Sequence, residues 1–589
     1  MQNVFGTYKK SETVLFDSRS ALYKTPFGAI STRDVMKINF PVKKDVGARS
    51  VKFILRRNGA SKEYDLNRIG EENDYDVFSA EITVPIEGTH FYRFEIYPVH
   101  GGTLFCGKDG KSKAIIGEWL PEWQLSVYQS HYKTADFIKG GVVYHMFVDR
   151  FRRKGDFCAE PKYGTKKDWE DDVTIVDPDG TYRANDFFGG NFDGMIEKLP
   201  YLQSLGVNVI YLSPIFESNS NHRYDTADYT KVDPVLGGDE AFERFLKACK
   251  KKKINVVLDG VFNHTGADSV YFNKFGHYDS VGAYQSKESP YYDWFTFYNF
   301  PDDYHCWWGC TVVPTVARNA DGYHELIAGK NGIIHKWTKM GVKGWRLDVV
   351  DELSEYFVKK IRESVKGTDE TALVLGEVWE DASTKYSYGE EREYFFGYDL
   401  DGVMNYVFKD AINSYITAFD AEGFVEKVLT IMENYPKQSL DTCFTMIDSH
   451  DTVRAINVYA GATGYGMSKA EKKAYRLTEE EYARGKRRLK VASALQYFLP
   501  GAPSLYYGDE AGLQGFEDPL NRRPYPWGKE DEELLEHYRM LGRLRSEYRE
   551  DFQGAAAVSC EDGKVIVARG RLKLTADARK EEFKIETIG

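Results

Sequence analysis

Between about residues 140 and 510 the sequence carries eight short apolar runs: Val142–Val148, Val207–Leu212, Asn255–Leu258, Gly344–Val350, Leu373–Val378, Val403–Val407, Phe444–Ile447 and Ser504–Tyr507. Helical patterns separate them, and several are apolar at successive positions instead of alternating, as parallel strands covered on both faces are. Eight such runs in one unit predict an α/β fold, a (β/α)8 barrel. The stretch from about 265 to 330 is too long and too rich in aromatics and Gly for an ordinary loop. It predicts an inserted subdomain after the third strand.

The flanks read differently. Up to residue 120, alternation in Ser50–Arg56 and Phe91–Tyr97, broken by turn residues at Gly59, Asn73-Asp74 and Gly101-Gly102, predicts an N-terminal β-sandwich. Residues 121–140 read as a connector and 141–545 as the barrel. Residues 546–589 read as a short or incomplete C-terminal β segment, strand-like at Val565–Ala568 and charged after Leu572.

Composition narrows the partners. A net charge of −12 repels a phosphate backbone, and the densest basic run, Lys247 with Lys250–Lys253, ends a predicted helix as a solvated face. Nucleic acid is not expected. The 7 cysteines are scattered; Cys306 and Cys310 form a lone pair with no second pair to complete a zinc site. The start, Met1–Gly6, lacks the layout of an export signal, and no window approaches the ~20 apolar residues that span a bilayer. A cytoplasmic chain without membrane contact is expected. Aromatics make up 15% of residues, enough to line a sugar-binding surface as well as to fill cores.

Where the acids fall decides the chemistry. Barrel strands converge at their C-terminal ends on one mouth. Here the third strand ends Asp259-Gly260-Val261-Phe262-Asn263-His264, the fourth runs to Arg346-Leu347-Asp348, the fifth to Glu377-Val378-Trp379 and the seventh to Asp448-Ser449-His450-Asp451. Cleavage of a glycosidic bond with retention needs two carboxyl groups about 5–5.5 Å apart, one to attack the anomeric carbon and one to protonate the leaving oxygen. Adjacent strands lie about 4.8 Å apart, so Asp348 and Glu377 form the natural pair. Arg346 points to the same side as Asp348 and is expected to hold it ionised by lowering its pKa. Asp451 supplies negative field beside Glu377, and His264 and His450 suit the hydroxyls of one sugar ring.

These motifs, together with Gly206–Pro214, Tyr224–Tyr229 and Gly501–Glu510, resemble the signature regions of the α-amylase family, in the family's order. The resemblance spans roughly residues 120–545. It implies Asp348 as nucleophile, Glu377 as acid/base and Asp451 as transition-state stabiliser. It further implies a −1 subsite of His222, Tyr224, His264, Arg346 and His450, with Arg454 also binding substrate. Trp123–Tyr128, Phe187–Asn191, Gly376–Trp379 and Asp401–Tyr406 are most similar to the neopullulanase, cyclomaltodextrinase and amylopullulanase branch.

That branch implies an α-glucan substrate cut at α-1,4 links, α-1,6 links or both, with no required cofactor. Asp351-Glu352 stand where many α-amylases carry a calcium-holding Lys-His pair, which puts Glu352 near the +1 sugar and leaves Asn263 to hydrogen bonding. A separate structural calcium at Asp149, Asp156, Asn185 and Asp186 remains a candidate. The inserted subdomain departs from the branch's Pro-x-x-Asn motif, since Asn319 is displaced in Val312–Asn319. A transglycosylase would use the same residues. A catalytically inactive sugar-binding or scaffold protein on the same barrel is the other reading. The resemblance also implies a homodimer formed through the N-terminal domain.

Overall fold

The computed structural model describes residues 13–177 and 179–588; Met1–Gly6, read above for an export signal, lies outside the described residues. All eight apolar runs become strands: β1 Val143–Met146, β2 Val209–Leu212, β3 Asn255–Gly260, β4 Gly344–Leu347, β5 Leu373–Val378, β6 Gly402–Asn405, β7 Phe444–Thr445 and β8 Ala502–Tyr506. They pair in parallel in that order and close, β8 against β1. β1, β4, β6 and β7 stop short of their runs because the chain turns away at the mouth. Val148–Phe151 is already helical, and Val350–Glu352 forms a 3-10 turn.

The pleat explains which residues reach the site. On β3, Val256 and Leu258 pack outward among the helices while Val257 packs inside the barrel, so Asp259 points inward. On β4, Trp345 and Leu347 face out, which turns Arg346 in and carries Asp348 to the same side just past the strand end. On β5, Val374 and Val378 face out and Leu373 and Leu375 in, which places Glu377 inward. The surrounding helices are amphipathic. Gly238–Lys251 buries Phe242, Phe245 and Leu246, and its basic run lies at the C-terminal end, where the helix dipole favours cations.

The inserted subdomain follows β3. It holds a short hairpin, Phe297–Asn299 with Asp303–Tyr304, and returns past the barrel mouth through bridges of His264 to Thr315 and Phe295 to Val316.

The N-terminal strands form one mainly antiparallel 10-stranded sheet folded over its own core. The long strand Ala60–Glu72 serves both layers: its first half pairs with Ala48–Arg57 and its second with Tyr75–Ile82, with a register break between Arg68 and Gly70. Of its aromatics, Phe78 and Tyr92 are core residues and Phe91 faces outward. The stretch read as a connector contains a strand of this sheet, Trp123–Tyr128, paired with Gly88–Pro98. The sheet rests on the barrel segment 381–398. Thr89 Oγ1 donates to the Ser383 carbonyl at 2.8 Å, Gln124 Nε2 to Ser383 Oγ at 2.8 Å, and Arg57 pairs with Glu393 at 3.2 Å.

The C-terminal tail has more order than its charge suggested. Ala556–Glu561, Lys564–Arg569, Leu572–Asp577 and Glu582–Thr587 form a four-stranded antiparallel sheet. Leu572, Leu574 and Ala576 alternate inward under the charged positions. Among the described residues no helix is long and apolar enough to cross a membrane.

Candidate active site

A cleft of about 680 Å³ opens at the C-terminal ends of the barrel strands. His222, Tyr224, His264, Asp348, Glu352, Glu377, His450 and Asp451 all line it. Eight of the ten site residues expected from the strand ends and from the family resemblance thus share one surface. Arg346 lies directly beneath them, fully buried.

Arg346 organises the acids. Its Nη1 donates to Asp348 Oδ1 at 2.7 Å and to Asp259 Oδ1 at 2.9 Å, and its Nη2 lies 3.0 Å from Glu377 Oε2. Burial opposes charge on the guanidinium, but Asp259 and Glu377 outweigh it and raise its pKa further. The expectation for Asp348 needs correction. Its carboxyl stands well above the usual range because burial and the negative charges of Glu377 and Asp259 oppose ionisation, against the lowering effect of Arg346. One cation shared by three buried carboxylates leaves negative charge uncompensated, which disfavours ionisation of all three at once. Asp259 is raised by burial too, although Arg346 and hydrogen bonds from Tyr211 (2.6 Å) and Tyr224 (3.0 Å) oppose this.

Register and backbone set the catalytic pair. Leu347 on β4 pairs with Gly376 on β5, so the next residues, Asp348 and Glu377, are neighbours across the ladder. Val349 then takes φ 39°, a left-handed conformation that β-branched residues avoid. That turn aims its N–H at Glu377 Oε2, 2.9 Å away, while Trp379 Nε1 donates to Glu377 Oε1 at 3.1 Å. The Trp379 ring stacks on Tyr406 with centroids 3.9 Å apart.

The histidines are neutral at physiological pH. Burial lowers His222 to about 3 and His264 to about 4, and drives His450 well below its ordinary value. The Tyr224 N–H donates to His222 Nδ1 at 3.1 Å, which leaves the proton on Nε2. His264 differs from expectation: its Nε2 sits 3.1 Å from the Tyr224 carbonyl and spends its N–H there. Its other nitrogen, Nδ1, is then an acceptor and lies 3.4 Å from Asn263 Nδ2. Tyr224 and His450 lie parallel, 2° between planes, and hydrogen-bond through the phenol and Nε2.

Arg454 is not brought to the cleft. Its guanidinium is fully buried and binds the Tyr507 and Asn521 carbonyls and Asp509, which makes it a brace beneath β8. The arginine at the cleft is Arg522, which sequence reasoning missed. It donates to the His450 carbonyl at 3.0 Å and lies 3.4 Å from Asp451 and 3.1 Å from Asp518. No local pattern distinguishes it, because a 3-10 turn, Leu520–Arg522, in an irregular loop places it. Also missed were Trp307 and Trp308, whose indole N–H groups both donate to Glu352 Oε1, at 3.0 and 3.1 Å.

The candidate calcium ligands do not fit a cation. Asp149 accepts from Arg150 at 2.7 Å and from the N–H groups of Phe188 and Gly189; Asp186 accepts from Arg150, Thr174 and Asn221. Arg150 already occupies the place of positive charge between them, while Asp156 is exposed. Asn263 donates to Glu352 at 3.3 Å. Among the described residues no group of three or more His, Cys, Asp or Glu is arranged to hold a metal ion.

A closed barrel with strand-end carboxylates over a buried arginine and an aromatic rim is the architecture of a barrel glycosidase. The family model "Alpha amylase, catalytic domain" matches residues 147–315 and 324–555, and the chain belongs to this family of glycoside hydrolases. An amylopullulanase of Thermoanaerobacterium saccharolyticum is 32% identical over 582 residues, 90% of this chain but 44% of that protein. The chain thus spans less than half of that relative's length. Neopullulanase 2 of Thermoactinomyces vulgaris is 30% identical over 81% of this chain and 74% of its own. The solved type III pullulan hydrolase from Thermococcus kodakarensis superposes with a TM-score of 0.66 at 25% identity, covering 96% of this chain and 94% of its own.

Proposed function

We propose that the chain is a retaining α-glucan hydrolase that cuts α-1,4 and also α-1,6 glucosidic bonds in maltodextrins, pullulan, starch or cyclodextrins. The observation that carries this is the Asp348–Glu377 pair, set on neighbouring strands and tied to the two terminal nitrogens of one guanidinium. Neighbouring strands lie about 4.8 Å apart, which suits the short carboxyl separation of a retaining enzyme. The relatives' names, amylopullulanase and neopullulanase, support this substrate class.

In this reading Asp348 Oδ attacks the anomeric carbon as the C–O bond breaks towards the leaving oxygen, which takes a proton from Glu377. Glu377, now ionised, draws a proton from water; the water oxygen attacks the same carbon and Asp348 is released. Two inversions give net retention. Asp451, paired with Arg522 and His450, stabilises the positive ring between them, and His222 Nε2–H is placed to donate to its hydroxyls. The reading assigns no step to a metal. The seven free thiols, two of them exposed, suit the reducing cytoplasm proposed as its location. Dimerisation through the N-terminal domain belongs to the same proposal.

Product analysis on pullulan tests it. Panose, isopanose and maltotriose each report which bond is cut, and release of none of them, with no cleavage of maltodextrins, would overturn the reading.

A further inference from the structure

One pair of cysteines has no part in the chemistry proposed above. Of the seven cysteines, Cys306 and Cys310 alone stand within five positions of each other. Cys310 is exposed and Cys306 half-buried, whereas Cys106, Cys249 and Cys443 are buried. Between the pair run Trp307, Trp308 and Gly309, the turn whose two tryptophans line the cleft.

The backbone folds the pair together. The Gly309 N–H donates to the Cys306 carbonyl at 3.4 Å, and the Cys310 N–H to the Trp307 carbonyl at 2.9 Å. A tight turn keeps its end residues within about 7 Å, so Cys306 lies that close to the neighbour of Cys310. The Cys306 thiol is turned to the same side. Burial, then the Cys310 thiol, pushes its pKa up, and a hydrogen bond from the Gly309 N–H opposes them. Both ends are anchored: Trp307 N–H donates to the Val313 carbonyl and Val313 N–H to the Cys310 carbonyl, each at 3.1 Å, and Cys306 bridges to Pro314.

The turn itself is strained. Trp308 takes φ 50°, ψ 31°, a conformation L residues avoid, and Gly309 follows at φ 79°. Such a backbone persists only where its surroundings enforce it. Here the Nε1–H groups of Trp307 and Trp308 do so by donating to Glu352 Oε1 at 3.0 and 3.1 Å. Trp308 is nevertheless 85% exposed, so water competes for its bond. A covalent tie across the turn would remove the opened forms.

We propose that Cys306 and Cys310 form a reversible disulfide that fixes the Trp307–Trp308 turn against Glu352 under oxidising conditions. The oxidant is a low-molecular-weight disulfide of the glutathione class. The thiolate of Cys310, the more exposed of the two, attacks one sulfur of that disulfide, releases one thiol and leaves a mixed disulfide on Cys310. The Cys306 thiolate then attacks the Cys310 sulfur and releases the second thiol. Two protein thiols lose two electrons, and the reagent takes up both electrons and both protons as two thiols. An exposed disulfide that closes so short a loop is readily reduced again, as a regulatory bond must be. The effect on the cleft rests on the hydrolase reading; the bond itself does not.

Equilibration of the intact chain at stepped ratios of reduced to oxidised glutathione, followed by acid quenching, alkylation and peptide mass spectrometry, reads the bond directly. The Cys306–Cys310 link should form at ratios that leave Cys158, exposed and far from any other cysteine in the sequence, largely free of glutathione. Glutathione retained on Cys310 without the internal link, or a pair that stays reduced throughout, would overturn the proposal. On maltodextrin, oxidation should lower KM about fivefold through pre-organisation of the cleft wall and leave kcat unchanged. Cys306→Ser and Cys310→Ser should show neither the link nor the shift. A link that forms with KM unchanged would overturn the pair as a switch. If the link forms and the chain cleaves no glucan in either state, the hydrolase reading fails and the modification site stands.

Discussion

Arg346 Nη1 binds Asp348 Oδ1 at 2.7 Å in a fully buried contact, and the same nitrogen also holds Asp259. The proposed nucleophile therefore depends on a cation it shares. Replacing Arg346 with Met should leave three buried carboxylates without their counter-charge. Loss of one partner from such a cluster costs about 3–5 kcal/mol of stability. Because Arg346 lowers the Asp348 pKa, its loss should also move the acid limb of kcat/KM to higher pH, with about tenfold less activity at a given pH for each unit moved. Arg346→Lys should move the limb less. An unshifted limb in both variants would mean that Arg346 does not set the ionisation of Asp348.

Asp348→Asn should lower turnover by several orders of magnitude, because it removes the covalent step. Glu377→Gln should do so for natural glucans and less for an activated aryl glycoside, whose leaving group needs no proton. Azide should restore part of the activity of the Glu377 variant and yield a glycosyl azide of retained configuration. Near-wild-type turnover in Asp348→Asn would sink the assignment.

Arg150 stands between Asp149 and Asp186 as their counter-charge. Activity and melting temperature should therefore survive exhaustive chelation. A melting temperature that falls by several degrees in chelator, and recovers on adding calcium, would contradict this.

Asp399 is buried with both carboxyl oxygens unpaired, and burial pushes its pKa to about 8. An unfolded aspartate ionises near 3.9, so the folded chain holds an extra proton between these values and stability falls as pH rises from about 4 to 8. Asp399→Asn removes this slope. Its melting temperature should exceed that of the wild type at pH 8 and converge with it near pH 4. Parallel curves would refute the origin given.

The N-terminal sheet touches the barrel segment that carries Lys385 to the cleft, through Thr89, Gln124 and Arg57. Since Trp123–Tyr128 belongs to that sheet, a clean deletion ends after Tyr128. In a truncated barrel that keeps a cooperative melting transition, relative activity should move from cyclodextrins and short maltodextrins towards long starch chains, and light scattering should report a monomer. Unchanged preference and mass would remove the domain from the active site and from the proposed dimer.

What the sequence determined by itself is local and periodic. The apolar runs marked the strands, because residues buried on both faces of a parallel sheet must be apolar. The alternation of Leu347 with Arg346 and Asp348 placed the acids on the inner face by period alone. The Asp348–Glu377 pair was legible for the same reason: two neighbouring strands end at one mouth. Only the tertiary structure decided which distant groups meet those acids. Arg454 follows Asp451 closely yet turns under β8, whereas Arg522 reaches Asp451 across 71 positions of chain. The Trp307–Trp308–Glu352 clasp joins the inserted subdomain to the turn after β4, and burial, with the negative charges of Glu377 and Asp259, reverses the expected pKa direction of Asp348. Contacts of this kind are set by loop path and by the summed field of buried charges. Neither carries a period that a sequence could display.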